Sequence, residues 1–370
     1  MLPFDDLPLI DDHAHPLLAG HPALPEPLAR YFTEAHDPET VQRHAPQTLF
    51  FRHALRDLAA FLGCEATEAA VVAARAGQPF DSYLRRLLAD ARVETVLLDD
   101  GYPRADVLSV AHIAAAGGVR ARRVLRIEGV IEDLLPAHDS LAALEAALTG
   151  ELEAARAEIV AVKSIIAYRT GLDIARPDAR DAEAALADVR SAWQGTPGRL
   201  ASKPLLDYLV PLAAEWAAGH SLPLQFHTGF GDRDLDLRLA NPSHLRPLLE
   251  RGALARGPVV LLHAAYPYVR EAAYLASVYP NVFVDLSLVA PLLAGPGLTR
   301  VMEELLALAP VTKLLYGSDA WGIPEWFWCA ARAARRALGE ALAWLPDGEA
   351  RWAARRILHD NAAELYRLGP

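Results

Sequence analysis

The chain of 370 residues carries only two cysteines, Cys64 and Cys329. That scarcity excludes a disulfide framework and a zinc-finger array, and it is the usage expected of a reducing cytoplasm. Long apolar runs are also missing. No stretch of about 18 residues is free of charge, so no membrane span is expected. The opening residues Met1-Leu2-Pro3-Phe4-Asp5-Asp6 lack a basic segment followed by an apolar one, so no signal peptide is expected either. Basic residues are in deficit, with Lys+Arg at 36 against Asp+Glu at 47 and a net charge of −11. A chain so acidic lacks the basic face that nucleic acid or an anionic membrane would require. No internal repeat or low-complexity linker breaks the sequence.

What is present is a globular composition, 52% hydrophobic and 22% charged, and long enough to bury a sizeable core. Eight short apolar runs each end in polar residues. Leu7–Asp12 leads into His13-Ala14-His15, Val93–Leu98 into Asp99-Asp100-Gly101, Arg123–Ile127 into Glu128-Gly129, and Ile159–Val162 into Lys163-Ser164. Leu222–Phe226 leads into His227-Thr228-Gly229, Val259–Leu262 into His263-Ala264, Val282–Val284 into Asp285-Leu286-Ser287, and Lys313–Tyr316 into Gly317-Ser318-Asp319. Segments of helical character, such as Leu141–Ala157, His244–Leu254 and Val269–Val278, lie between most of them. Strand and helix alternating eight times predict an α/β fold, a (β/α)8 TIM barrel. An open doubly wound sheet would call for a glycine-rich turn after its first strand, and none is there.

The spacing is uneven. Residues 16–92 separate the first two runs and hold helix-like stretches (Pro46–Leu62, Glu65–Ala76, Phe80–Ala91) but no good strand. They are read as a helical insertion and cap within one barrel spanning 1–370, on the face where barrel active sites lie. After Asp319, Glu325–Trp344 and Glu349–Tyr366 are expected to close the barrel and pack outside it.

A parallel barrel gathers the C-terminal ends of all its strands around one mouth. His13, His15, Lys163, His227, His263 and Asp319 should therefore converge. Side chains two apart on a strand share a face, so the pair His13 and His15 can grip one divalent ion. Further imidazoles and a carboxylate complete a nitrogen and oxygen set that suits zinc, and also manganese, iron or nickel. Each residue alone has an ordinary structural reading, and Asp319 could simply cap a helix; it is their shared position that points to a metal. The other histidines (His21, His36, His44, His53, His112, His138, His220, His244 and His359) fall mostly in helices or loops and are assigned no role. Tyr168 and Arg169 follow the fourth run, and an arginine fork suits a substrate carboxylate. Asp99, Asp100, Tyr102, Glu128 and Asp285 also point to the mouth. Trp321, ahead of Trp326-Phe327-Trp328, could wall a pocket, while ordinary packing explains the run equally well.

The stretches Asp12-His13-Ala14-His15-Pro16, Val162-Lys163-Ser164 through Tyr168-Arg169-Thr170-Gly171, Gln225-Phe226-His227-Thr228-Gly229, Leu262-His263-Ala264 and Tyr316-Gly317-Ser318-Asp319 resemble the amidohydrolase superfamily. The wording is closest to amidohydrolase family 2, in particular the amidohydrolase-like domain of FluG-type proteins. No glutamine-synthetase-like domain is expected after it in this chain. The resemblance implies that His13, His15 and Asp319 hold the more buried metal. It implies that His227 and His263 hold a second ion or serve the substrate. Lys163 falls where two-metal members carry a carboxylated bridging lysine, and it could equally be a plain ammonium that binds a substrate carboxylate. The implied activity is hydrolysis of a C–N (amide) or C–O (lactone or ester) bond of a small, carboxylate-bearing substrate. Hydroxide is generated on the metal, Asp319 acts as general base, and His263 and Lys163 assist. The alternatives are a metal-dependent decarboxylase of the same superfamily, a uronate-isomerase-like enzyme, which the wording does not favour, and a non-catalytic FluG-like scaffold. A homo-oligomer is the ordinary expectation for a soluble enzyme.

Overall fold

A computed structural model describes residues 3–19, 24, 26–103, 106–175 and 177–369. Its eight parallel strands stand side by side in chain order. They are β1 (Leu9–Ala14), β2 (Val93–Asp99), β3 (Arg120–Arg126), β4 (Ile159–Ser164), β5 (Leu224–Phe226), β6 (Val259–Leu261), β7 (Val282–Asp285) and β8 (Leu314–Leu315). Two backbone bonds draw β1 to the segment after β8. The Asp12 amide donates to the Tyr316 carbonyl at 3.0 Å, and the Asp319 amide to the His13 carbonyl at 2.8 Å. This is the TIM barrel the alternation predicts.

The strands read as continuous apolar runs because both of their faces are buried. Alternate side chains sort to the two sides. Leu9, Val96, Leu98, Leu125 and Val162 pack with the surrounding helices. Ile10, Leu97, Val124, Ala161, Val260 and Leu315 fill the lumen. Each such burial of a leucine, valine or isoleucine is worth about 1.5–3 kcal/mol.

Three local differences from the sequence reading have physical causes. β3 begins at Arg120, ahead of the expected Arg123, because its first arginines alternate with buried residues and find polar partners; Arg120 Nε donates to Thr95 Oγ1 at 3.2 Å. The expected helix over His244–Leu254 is broken into Pro242–Leu245, Arg246–Leu249 and Gly252–Ala255. Pro242 and Pro247 have no N–H to donate, and Gly252 takes a φ of +51°. At the C-terminus, Asp347–Arg355, Arg356–Asp360 and Asn361–Leu365 form successive turns of helix. Their end is not outside the barrel as expected, since Ala362 and Tyr366 pack among the lumen residues.

Between β1 and β2, helices Leu49–Leu62, Glu68–Ala76 and Phe80–Asp90 follow a 3-10 turn, Leu28–Phe32. Phe80–Asp90 packs on β2 and on the helices Val110–Gly117 and Glu325–Ala341, in the place of an ordinary outer barrel helix. Arg75 of the insertion forms a fully buried ion pair with Glu325. Trp326, Phe327 and Trp328 are buried in the helix that follows and serve packing. Phe32 stacks on Trp326 with ring centroids 5.2 Å apart, which anchors the 3-10 turn over the barrel. Among the described residues no helix is long and apolar enough to cross a membrane.

Candidate metal centre

The strand ends bring all six sequence-predicted residues to one place. β1 runs to Ala14, so His13 lies within the strand and His15 just beyond it. His13 Nε2 is 3.1 Å from Asp319 Oδ1, and His15 Nε2 is 3.3 Å from the same oxygen. Lys163 Nζ lies 2.9 Å from His13 Nε2. His263 Nε2 is 2.9 Å from His227 Nδ1, and the rings of His13 and His263 are 5.8 Å apart. His263 and Asp319 sit in the left-handed region, with φ of +66° and +56°. Such strain costs on the order of 1–3 kcal/mol per residue and persists where surrounding bonds impose it. Here the His263 amide donates to Asp285 Oδ1 at 2.6 Å, and the Asp319 amide is tied to His13.

Electrostatics keeps the donors available. Burial, with the Lys163 charge alongside, holds His13 down to about 4. Burial likewise holds His227 and His263 well below the usual histidine range. These rings are neutral at pH 7 and offer lone pairs. Burial also lowers Lys163, to about 8. It works against the Asp319 charge, but the surrounding groups more than offset that and hold the carboxyl well below its ordinary value.

The donors fit a divalent ion. Nδ1 of His15 lies 3.1 Å from the Asp99 carbonyl. A carbonyl only accepts, so this nitrogen carries the proton, and the lone pair of Nε2 faces Asp319. Asp319 Oδ1 is buried and has no hydrogen-bond donor among the described residues. A lone pair of His15 and a carboxylate oxygen thus face each other, an arrangement that a cation between them would relieve. Two donors each about 2.0–2.1 Å from one tetrahedral zinc stand roughly 3.4 Å apart, close to the 3.1 and 3.3 Å found here. Donor atoms of His13, His263 and Asp319 also lie within 4.8 Å of one another. A second group, His13, His15 and Asp99, is as compact. Its Asp99 carboxylate is already gripped by Arg126, whose Nε and Nη2 donate to Oδ2 at 3.0 and 2.6 Å.

A cavity of about 220 Å³ opens above these residues, with His15, Lys163, His227, His263 and Asp319 in its lining. Tyr168, Arg169 and Trp321 line it too. The Tyr168 ring packs 4.3 Å from that of His227. Arg169 pairs with Glu132 at 2.9 Å through Nη2, while its Nε is buried with no hydrogen-bond partner among the described residues. Trp321 lies beneath the Arg30 guanidinium at 5.3 Å. Of the further acidic residues expected at the mouth, two are structural. Glu128 is buried and accepts from Ser164 Oγ at 2.6 Å and from the Ile165 amide at 3.0 Å. Asp100 pairs with Arg123 at 2.6 Å. Asp99 and Asp285 support the site from behind through Arg126 and the His263 amide.

Several residues not singled out from sequence reach the site. Gln225 Oε1 lies 2.9 Å from His13 Nδ1. Arg126 lines the cavity with its guanidinium 5.5 Å from the Tyr102 ring. Arg126, Lys163 and Gln225 are neighbours in register across β3, β4 and β5. That alignment was the available signal, and it needed the end of β3 placed at Arg126. The insertion contributes Arg30, Thr33, Glu34 and His36. His36, assigned no role from sequence, thus faces the cavity, because residues just before the insertion's first helix cross the mouth; His21 lies outside the described residues.

The family model described as Amidohydrolase matches residues 10–368. The FluG protein of Emericella nidulans is 33% identical over 403 aligned residues, which cover 98% of this chain and 46% of that protein. The chain therefore spans about half the length of this curated relative. Among solved structures, a Lactobacillus casei protein provisionally named a metal-dependent hydrolase is 33% identical, with a TM-score of 0.88 over 99% of this chain and 96% of that one. Uronate isomerase of Thermotoga maritima shares the fold, with a TM-score of 0.65 at 16% identity over 98% and 95% of the two chains.

Proposed function

Because the chain belongs to the amidohydrolase family, we propose that it is a metal-dependent hydrolase that cleaves an amide C–N bond, or a lactone or ester C–O bond, of a small carboxylate-bearing substrate. The observation that carries this reading is the donor-less, buried Oδ1 of Asp319 between His13 Nε2 and His15 Nε2. A divalent ion, zinc above all, held by His13, His15 and Asp319 with His227 and His263 alongside, supplies Lewis acidity and acidifies water when bound.

The protein's own groups do the rest. Asp319 lines the cavity as a carboxylate, so it can take a proton from water and return it to the leaving nitrogen or oxygen. His227 lines the cavity and its Nε2 has no hydrogen-bond partner among the described residues; with the proton on Nε2 and Nδ1 accepting from His263 Nε2, it donates to the oxygen of the scissile carbonyl. The Arg169 guanidinium, which lines the cavity, receives the substrate carboxylate in a charge-assisted bond, with Tyr168 and Trp321 as walls.

The test is elemental mass spectrometry on protein purified without chelator and with bicarbonate present, coupled to a turnover assay on N-acyl amino acids and lactones. We expect bound metal, turnover lost on chelation, and recovery with zinc. Two ions per chain would make Lys163 a carbamate bridge, and one ion would leave it an ammonium. Turnover that survives complete removal of metal overturns the reading, and so does a metal-loaded protein that only decarboxylates its substrates.

A further inference from the structure

Behind His13, away from the cavity, a chain of hydrogen bonds runs to the C-terminal end of the molecule. Gln225 Nε2 donates to the Asp12 carbonyl at 2.7 Å and to the Tyr366 hydroxyl at 2.9 Å. The Tyr366 hydroxyl donates in turn to Asp12 Oδ2 at 3.0 Å. All of these groups are buried. The direction of the chain follows from the chemistry of its members. A backbone carbonyl can only accept, so the Asp12 carbonyl must face the NH2 of the Gln225 amide. The other end of that amide, Oε1, then has to face His13 Nδ1, at 2.9 Å. An amide oxygen also only accepts. Nδ1 of His13 must therefore carry the proton, and Nε2 must present its lone pair towards Lys163 Nζ and Asp319 Oδ1.

We infer that Gln225 is a positioning residue that locks His13 in the Nδ1–H tautomer, with Tyr366 bracing Gln225 from inside the barrel. The last turn of the chain thereby acts on the metal centre. Tyr366 is held for this by its place in the lumen, where it and Ala362 pack with Ile10, Leu97, Val124 and Leu315. The inference deepens the metal-centre reading, and rests on it for its consequence: a histidine fixed in one tautomer and one ring orientation loses less on binding an ion.

Two measurements separate the inference from that reading. The first is nitrogen-15 NMR of the histidine side chains in metal-free protein, with the His13 signals identified as those absent from His13→Gln. The wild type should show a protonated Nδ1 and a bare Nε2. Gln225→Leu should mix the tautomers. Tyr366→Phe, which removes a single oxygen and is the milder change should Gln225→Leu fail to fold, should shift the His13 signals in the same direction. The second is zinc affinity by competition with a chromophoric chelator. It should fall on the order of 10- to 100-fold in Gln225→Leu, and less in Tyr366→Phe. A proton on Nε2 in the wild type overturns the inference. So do unchanged His13 signals in the folded variants. Wild-type protein that shows the Nδ1–H tautomer but takes up no zinc upholds the tautomer lock and refutes the metal reading.

Discussion

His13 and Asp319 meet twice at the closing seam of the barrel. The Asp319 amide donates to the His13 carbonyl at 2.8 Å, and the side chains face each other with His13 Nε2 at 3.1 Å from Oδ1. The backbone bond keeps the two side chains together with or without an ion. His13→Ala and Asp319→Asn should therefore leave a folded protein that has lost its metal. Turnover should drop on the order of 10²- to 10⁴-fold in Asp319→Asn, the range for removal of a general base. Saturating zinc should stabilise the wild type, by about 4 kcal/mol at a thousandfold excess over Kd, and neither variant. Calorimetry with and without zinc reads this directly; equal stabilisation of all three proteins would remove these residues from the site.

Asp99 tests the wall behind His15. Its carboxylate is fully buried in a two-pronged pair with Arg126. Burial alone would raise its pKa, but the Arg126 guanidinium, with His15 and Lys163, holds it well below the ordinary carboxylate value. A carboxyl depressed on folding stabilises the protein above its unfolded pKa of about 3.9, and that stability is lost as pH falls through the folded value. Asp99→Ala leaves the partly buried Arg126 without its carboxylate partner, which costs up to about 3–5 kcal/mol at pH 7. Urea unfolding at pH 7 and again below pH 4 should show the gap between variant and wild type narrowing in acid. A gap that is constant with pH would mean the pair contributes through shape alone.

Much of this site was legible because a parallel barrel places strand ends at one mouth whatever lies between them. His13, His15, Lys163, His227, His263 and Asp319 each follow or end an apolar run, and they meet. Arg126 was hidden by parity. The arginine-rich start of β3 obscured its limits, and placing its end near Ile127 sent Glu128 to the mouth in its stead. Arg30 and Glu34 could not be placed, since the segment carrying them has neither strand nor helical periodicity. Tyr366 looked like the end of an outer helix; nothing in a helical pattern says that its last turn enters the lumen.

Glu34 gives the cavity a pH dependence. Burial, then the negative charges of Asp319 and Asp232, push its carboxyl up to about 8. Without a bound cation it is therefore mostly neutral at pH 7 and becomes charged above pH 8. A unit negative charge at roughly 5 Å from a bound carboxylate costs on the order of 1–3 kcal/mol at an effective dielectric between ~20 and ~80. KM for an anionic substrate should climb by about fivefold or more as Glu34 ionises, below pH 8 where a bound cation offsets the Asp319 charge, and Glu34→Gln should flatten that limb. A limb that persists unchanged in Glu34→Gln assigns the titration to another group.

Gly231 is required by the packing of Tyr168 against His227. A Cβ at this position would overlap the Tyr168 hydroxyl and come within 3.1 Å of His227 Nε2. That hydroxyl also accepts from the Asp232 amide at 3.3 Å, so it cannot yield without loosening the loop after β5. Gly231→Ala should push the Tyr168 ring off His227, now 4.3 Å away between centroids. Misplacement of this size at a reacting centre costs about 10²-fold in kcat/KM, and thermal stability should change little because no backbone atom is struck. Gly229 supplies the contrast. It has a φ of +72°, and a Cβ there would run into the backbone of Ala265 and Tyr266 beside the strained turn that aims His263. Gly229→Ala should therefore lower stability and activity together. If Gly231→Ala destabilises as much as Gly229→Ala, the cavity wall is part of the folding core, and the separate substrate role of Tyr168 is lost.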